Sequence, residues 1–103
     1  MTVSIEVQDA TAVVRVSGDV DLASSPTMQA AIADACRRPG TAEVVVDLAD
    51  VPFLDSSGIS ALLQGRREAL GRDLAYHVVG ANPMIRSVLE LTGVWPLLTT
   101  SAE

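Results

Sequence analysis

The stretch Val44-Val45-Val46-Asp47-Leu48-Ala49-Asp50-Val51-Pro52-Phe53-Leu54-Asp55-Ser56-Ser57-Gly58 decides how this chain is read. Its first five residues are apolar on both faces but for Asp47, the pattern of a central strand in a parallel sheet. Its last four stand where that strand gives way to a helical pattern beginning at Ile59. A hydroxyl at that junction sits at a helix N-terminus, where unpaired backbone N–H groups and the helix dipole favour added negative charge. A carboxylate two residues earlier and a glycine just after suit a serine that another protein phosphorylates. The plainer reading makes Asp55 or Ser56 an N-cap, a position both residue types favour. On the tetrapeptide alone the cap is favoured.

Working outward, Val3, Ile5 and Val7 alternate with polar residues, which argues for a half-exposed strand. Asp9-Ala10 turns it into a second strand, Thr11 to Ser17, making a hairpin. Gly18-Asp19-Val20-Asp21 breaks that strand. Ser25-Pro26 starts a helix, with Met28, Ala31, Ile32 and Ala35 on one apolar face and Pro39-Gly40 as its stop. After the serine turn, Ile59, Leu62, Leu63 and Leu70 mark a second helix ending at Gly71. Leu74 to Val79 is a strand, and Asn82-Pro83 caps a third helix that ends at Gly93. Val94 to Thr100 reads as a short strand or irregular tail.

Helices between successive strands imply right-handed parallel crossovers, with the first strand antiparallel at one side. The fold class is therefore α/β: one domain over residues 1–103, with a mixed, mostly parallel sheet, an N-terminal antiparallel hairpin strand and three to four helices. In such a sheet, sites form beyond the carboxyl ends of the strands. The strands ending near Ser17 and Leu48 share that edge, which brings Asp19 and Asp21 towards Asp55 and Ser57.

Composition narrows the chemistry. The 103 residues are 49% hydrophobic with one Phe, one Tyr and one Trp, so the core is aliphatic. Seven basic residues, all Arg, oppose thirteen acidic ones for a net charge of −6. Such a surface repels phosphate backbones and speaks against nucleic acid as a partner. The absence of lysine removes Schiff-base chemistry. A single cysteine, Cys36, rules out an internal disulfide or a zinc cluster. No basic-then-apolar leader and no membrane-spanning run is visible, so a soluble, cytoplasmic protein is expected.

Asp19, Asp21, Asp47, Asp50 and Asp55 suggest magnesium, as in phosphoacceptor-aspartate receiver domains, but those also need a lysine near the phosphoryl group. Asp47 is expected to end its strand as a structural residue and Asp50 to lie in an exposed loop. A serine nucleophile needs a general base. His77, the only histidine, falls within a strand, where packing or solvent exposure is the commoner role. Gly two residues on either side of the serine, the nucleophile-elbow pattern, is absent around Ser57. Gly18, Gly58 and Gly80 form no phosphate loop. Met28 and Met84 are assigned to the core. No catalysis and no cofactor are expected.

With these residues in place, the sequence resembles a STAS domain, and specifically the bacterial anti-sigma factor antagonists. Three blocks carry the resemblance across nearly the whole chain: Gly18 to Asp21, Val44 to Gly58, and Asn82 to Leu98. The resemblance implies a protein that works by reversible docking. An anti-sigma factor that is also a serine kinase phosphorylates the serine before the glycine, here Ser57. Phosphorylation ends the binding, and a metal-dependent serine phosphatase restores it. Asp21 matches the acidic residue of the family's Gly-Glu-x-Asp loop, and Asp19 stands where Glu is usual. The partner-binding residues implied are Asp19, Asp21, Asp55, Ser56, Ser57 and Gly58, with Ser56 as the structural cap and Gly58 keeping the hydroxyl open to a kinase. The other reading is a STAS scaffold that is never phosphorylated, as a subunit of a lipid-transport or transporter assembly.

Overall fold

In the computed structural model, which describes residues 1–99, strands β1 (Thr2–Gln8) and β2 (Thr11–Ser17) form the expected hairpin. Helix α1 (Ser25–Arg37), β3 (Glu43–Asp50), α2 (Ser56–Gly71), β4 (Ala75–Val79), α3 (Pro83–Leu91) and α4 (Trp95–Thr99) follow. The sheet order is β1-β2-β3-β4, antiparallel only between the first two. The hairpin turns through Asp9, whose φ of 55° lies in the left-handed region that Asp tolerates better than most residues.

Because β2, β3 and β4 are added in one direction by right-handed crossovers, α1 and α2 fall on the same face of the sheet. Val44, Val46 and Leu48 of β3 are buried with Ala12, Val14 and Val16 of β2 and Tyr76 and Val78 of β4. Met28, Ile32, Ala35 and Cys36 of α1 and Ala61, Leu62 and Ala69 of α2 complete that core. Among the described residues, no helix covers the opposite face. Val13, Val45 and His77 are half-buried on it, among polar neighbours that bridge adjacent strands. Arg15 pairs there with Glu6 and with Asp47 (3.6 Å), and Glu43 accepts from Thr11 (3.0 Å) and pairs with His77. The Val44–Leu48 run is the central parallel strand expected, but only one of its faces is fully buried. Valines suit a half-buried pleat as well as a buried one, so Val45 gives no sign of which faces are covered.

Other corrections are local. Val94 leads into a helical turn, α4, rather than a strand: Pro96 fits the start of a helix, and Leu97 and Leu98 N–H groups donate back to Val94 O. The last residue of that expected tail, Thr100, lies outside the described residues. Leu70 and Met84, assigned to apolar helix faces, are 50% and 57% exposed. The seam of α2 is built from small residues instead, Gly58, Ala61, Gly65 and Ala69, with Leu62. A Cβ on Gly65 would stand 2.5 Å from Ile32 Cγ2 and 2.8 Å from the Tyr76 hydroxyl, so this glycine sets how closely α2 approaches α1 and β4. The Tyr76 hydroxyl, buried and therefore held far above its ordinary pKa by desolvation, donates to Leu62 O at 2.7 Å. α2 runs through Gly71, and the left-handed residue after it is Asp73 (φ 59°). Gly93 (φ 78°) follows α3 as expected.

Candidate functional site

Three loops leave the sheet at its carboxyl edge, after β2, β3 and β4; backbone hydrogen bonds join the first two, and the Asn82 side chain ties in the third. Gly18 N–H donates to Asp50 O (3.0 Å) and Val20 N–H to Phe53 O (2.9 Å). Asp55 N–H donates to Val20 O (3.1 Å), so Val20 and Leu54 pair as a one-residue parallel bridge beyond the sheet proper. The Asn82 side chain accepts from Ile85 N–H at the start of α3 and reaches Val51 O (3.3 Å) with its amide. The loops bearing Asp19–Asp21 and Asp55–Ser57 therefore share one edge.

Asp55 caps α2. Its extended backbone (ψ −170°) lets Oδ1 turn back over the first helical turn, where it accepts from Ser57 N–H (2.9 Å) and Gly58 N–H (3.3 Å). The same oxygen takes the Ser57 hydroxyl at 2.5 Å. That hydroxyl, joined by the two backbone N–H groups, holds the Asp55 carboxyl below the usual carboxylate range. Ser56, expected as the cap, is instead the first helical residue and is exposed, while Ser57 is half-buried. Asp wins the position because its carboxylate adds charge at the positive end of the helix dipole to the hydrogen bond.

Gly58 is buried. A Cβ there would lie 2.6 Å from Leu54 Cγ and 2.9 Å from Val20 Cγ1. Its lack of a side chain thus serves the inside of the fold, seating the first turn of α2 on the Val20–Leu54 bridge. It does not clear the outward approach to Ser57, as the sequence had suggested.

Asp21 Oδ1 accepts from Ala23 N–H (3.1 Å), Ser24 N–H (3.0 Å) and the Ser24 hydroxyl (3.0 Å), so its carboxylate organises the turn into α1. Asp19 is exposed, and its carbonyl accepts from the same Ser24 hydroxyl (2.9 Å). Asp47 lies within β3 rather than at its end, with Oδ1 accepting from Ala49 N–H (2.9 Å), and Asp50 is the last strand residue. His77 stands on the open face of the sheet against Glu43, whereas α2 and Ser57 belong to the helical layer. It is no base for that serine.

Sequence reasoning missed the apolar side chains at this edge. Leu22, beside Asp21, is 79% exposed, and Phe53 and Met84 are also largely exposed on the loop after β3 and the first turn of α3. In sequence they look like core residues. Only the side chains that the Val20–Leu54 bridge sends inward reveal which neighbours are left outside.

The STAS domain family model matches residues 2–103, and the chain belongs to that family. It is 30% identical over 101 residues to the anti-sigma-B factor antagonist of Staphylococcus aureus, covering 95% of this chain and 92% of that one. A crystal structure of an anti-sigma factor antagonist from Mycobacterium paratuberculosis superposes with a TM-score of 0.82 at 32% identity, over 94% of this chain and 81% of that chain. The fold is also that of the anti-sigma factor antagonist SpoIIAA in its unphosphorylated form, with a TM-score of 0.80 at 23% identity over 95% and 86% of the two chains. The phosphorylated form of the Bacillus protein aligns at 0.73, also at 23% identity, over 95% and 89%. The two of these relatives at 30% identity or more are both named anti-sigma factor antagonists. No helix among the described residues is long and apolar enough to cross a membrane.

Proposed function

We propose that this chain frees a sigma factor by docking onto its anti-sigma factor, and that phosphorylation of Ser57 by that partner, a serine kinase, ends the docking. A serine phosphatase reverses the modification, and the cycle runs in the cytoplasm without catalysis by this chain. The observation that carries the reading is the setting of Ser57. It lies on the first turn of α2, bonded to Asp55, at the edge where the loop bearing Asp19 and Asp21 joins the loop after β3, and Leu22 and Phe53 of those loops and Met84 of α3 are exposed. Apolar anchors ringed by polar groups are what a transient interface needs. Relatives named as antagonists supply the partner class.

The physics of the switch follows from the same atoms. A phosphoserine adds about −1.5 to −2 charges at neutral pH. At Ser57 those charges replace a hydroxyl that donates to Asp55, so an attraction becomes a repulsion. In solution water screens it, whereas in a desolvated interface the crowded charge weakens binding. The proposed interface comprises Asp19, Asp21, Asp55, Ser56, Ser57 and Gly58, the last acting through its packing.

The test is to incubate the chain and its Ser56→Ala and Ser57→Ala variants with ATP and candidate anti-sigma kinases, then map phosphate by mass spectrometry. The wild type and Ser56→Ala gain one phosphoryl group, and Ser57→Ala gains none. Phosphate that persists in Ser57→Ala and disappears in Ser56→Ala would reverse the assignment. A wild type that binds such partners yet is never modified would point to the unphosphorylated scaffold.

A further inference from the structure

Ser56 is the more exposed of the two adjacent hydroxyls, so accessibility alone would direct a kinase to it. The two differ in their hydrogen bonds. Ser57 Oγ is tethered at 2.5 Å to Asp55 Oδ1, and the backbone around it is fixed by the two N–H bonds to the same oxygen. The turn has little room to shift, because Gly58 is seated against Leu54 and Val20.

We infer that Asp55 is the proton acceptor for phosphoryl transfer: it holds the Ser57 proton, aims the oxygen lone pairs outward, and so selects Ser57 over Ser56. This rests on the proposed phosphorylation of Ser57 and adds to it a residue of the substrate that prepares the acceptor. In the transfer, Ser57 Oγ bonds to the γ-phosphorus of the kinase's nucleoside triphosphate as the bond from phosphorus to the departing nucleoside diphosphate breaks. The proton leaves Oγ along the hydrogen bond that already exists, onto Asp55 Oδ1, and passes from there to water. An acceptor held in one orientation spares the kinase the entropic cost of ordering it. The low basicity of Asp55 suits it to orienting the hydroxyl rather than removing its proton in advance.

Asp55→Asn separates this role from capping, since Asn caps helices about as well as Asp. With a kinase that modifies the wild type on Ser57, Asp55→Asn should remain folded at the assay temperature, with a melting temperature below that of the wild type at neutral pH, and keep KM within about twofold. Its kcat should fall by at least about tenfold, towards the ~10²-fold scale of a lost proton acceptor. Residual phosphate should spread to Ser56. By NMR in cold water, the wild-type Ser57 hydroxyl proton should exchange slowly, and Asp55→Ala should abolish that protection. A variant with unchanged kcat, a loss confined to KM, or an unprotected hydroxyl in the wild type each overturns the inference. Failure of the parent reading looks different: the wild type itself then takes no phosphate on Ser57.

Discussion

At the residue scale, the site turns on one oxygen, Asp55 Oδ1, and its three donors. The sign of its pH effect follows from the depressed acidity of the folded carboxyl. A carboxyl whose folded pKa lies below its unfolded value, about 3.9, stabilises the fold above that value. That stabilisation is lost as the pH falls through the folded pKa. Wild type and Asp55→Asn should therefore diverge in melting temperature at neutral pH and converge on acidification below about pH 4. Equal pH dependence in the two would show that the carboxylate contributes nothing through its charge. Glu68 shares the sign, held low by Arg72 and Arg37, and is common to both proteins, so the comparison cancels it. The tetrapeptide was legible in sequence as the start of a helix after a strand. What sequence misassigned was the cap, given to Ser56 and taken by Asp55. Asp, Ser and Ser are all good caps, and only the backbone direction at residue 55 decides among them.

At the scale of elements, two glycines of α2 play different parts. Gly65 meets Ile32 and Tyr76, and Gly58 meets Leu54 and Val20, in each case at distances no methyl group tolerates without movement. Gly58→Ala and Gly65→Ala should each lower stability by roughly 1–3 kcal/mol, the usual cost of overpacking, reduced by alanine's better helix propensity. Urea denaturation measures this. Only Gly58→Ala should also slow modification of Ser57, because it alone tilts the turn that carries the hydroxyl. Equal effects of both on phosphorylation would mean that general loosening is responsible. The strands were legible because period-two alternation and the turn at Asp9-Ala10 agree, and Thr11–Ser17 has the expected bounds. α4 was not, since five residues are too few to show helical periodicity and Trp95-Pro96 resembles a break. Met84 and Leu70 misled because apolar spacing on a helix does not say how wide its covered stripe is.

At the scale of the whole molecule, the described residues lay out one helical layer, one open sheet face and one edge where loops converge. The order of elements foretold that edge, where the Val20–Leu54 bridge joins the loops that carry Asp21 and Asp55. It did not foretell the open face, because the hand of the crossovers and the direction of strand addition must both be known. Asp21→Asn tests whether the converging loops act as one surface. An Asn Oδ1 can still accept the three bonds that organise the turn into α1, so stability should change little. In a double-mutant cycle with Ser57→Ala, read out as affinity for the anti-sigma factor, coupling should exceed the ~0.3–0.5 kcal/mol scatter of independent sites. Additive effects would make the two loops neighbours without a shared partner. The most direct test of the switch is the dissociation constant for the anti-sigma factor, measured by calorimetry before and after stoichiometric phosphorylation of Ser57. The account predicts that phosphorylation weakens binding by at least about a hundredfold, some 2.7 kcal/mol, while the melting temperature of the free chain stays close to that of the unmodified one. Undiminished affinity in the phosphorylated chain, or a loss of affinity that merely accompanies unfolding, would contradict it.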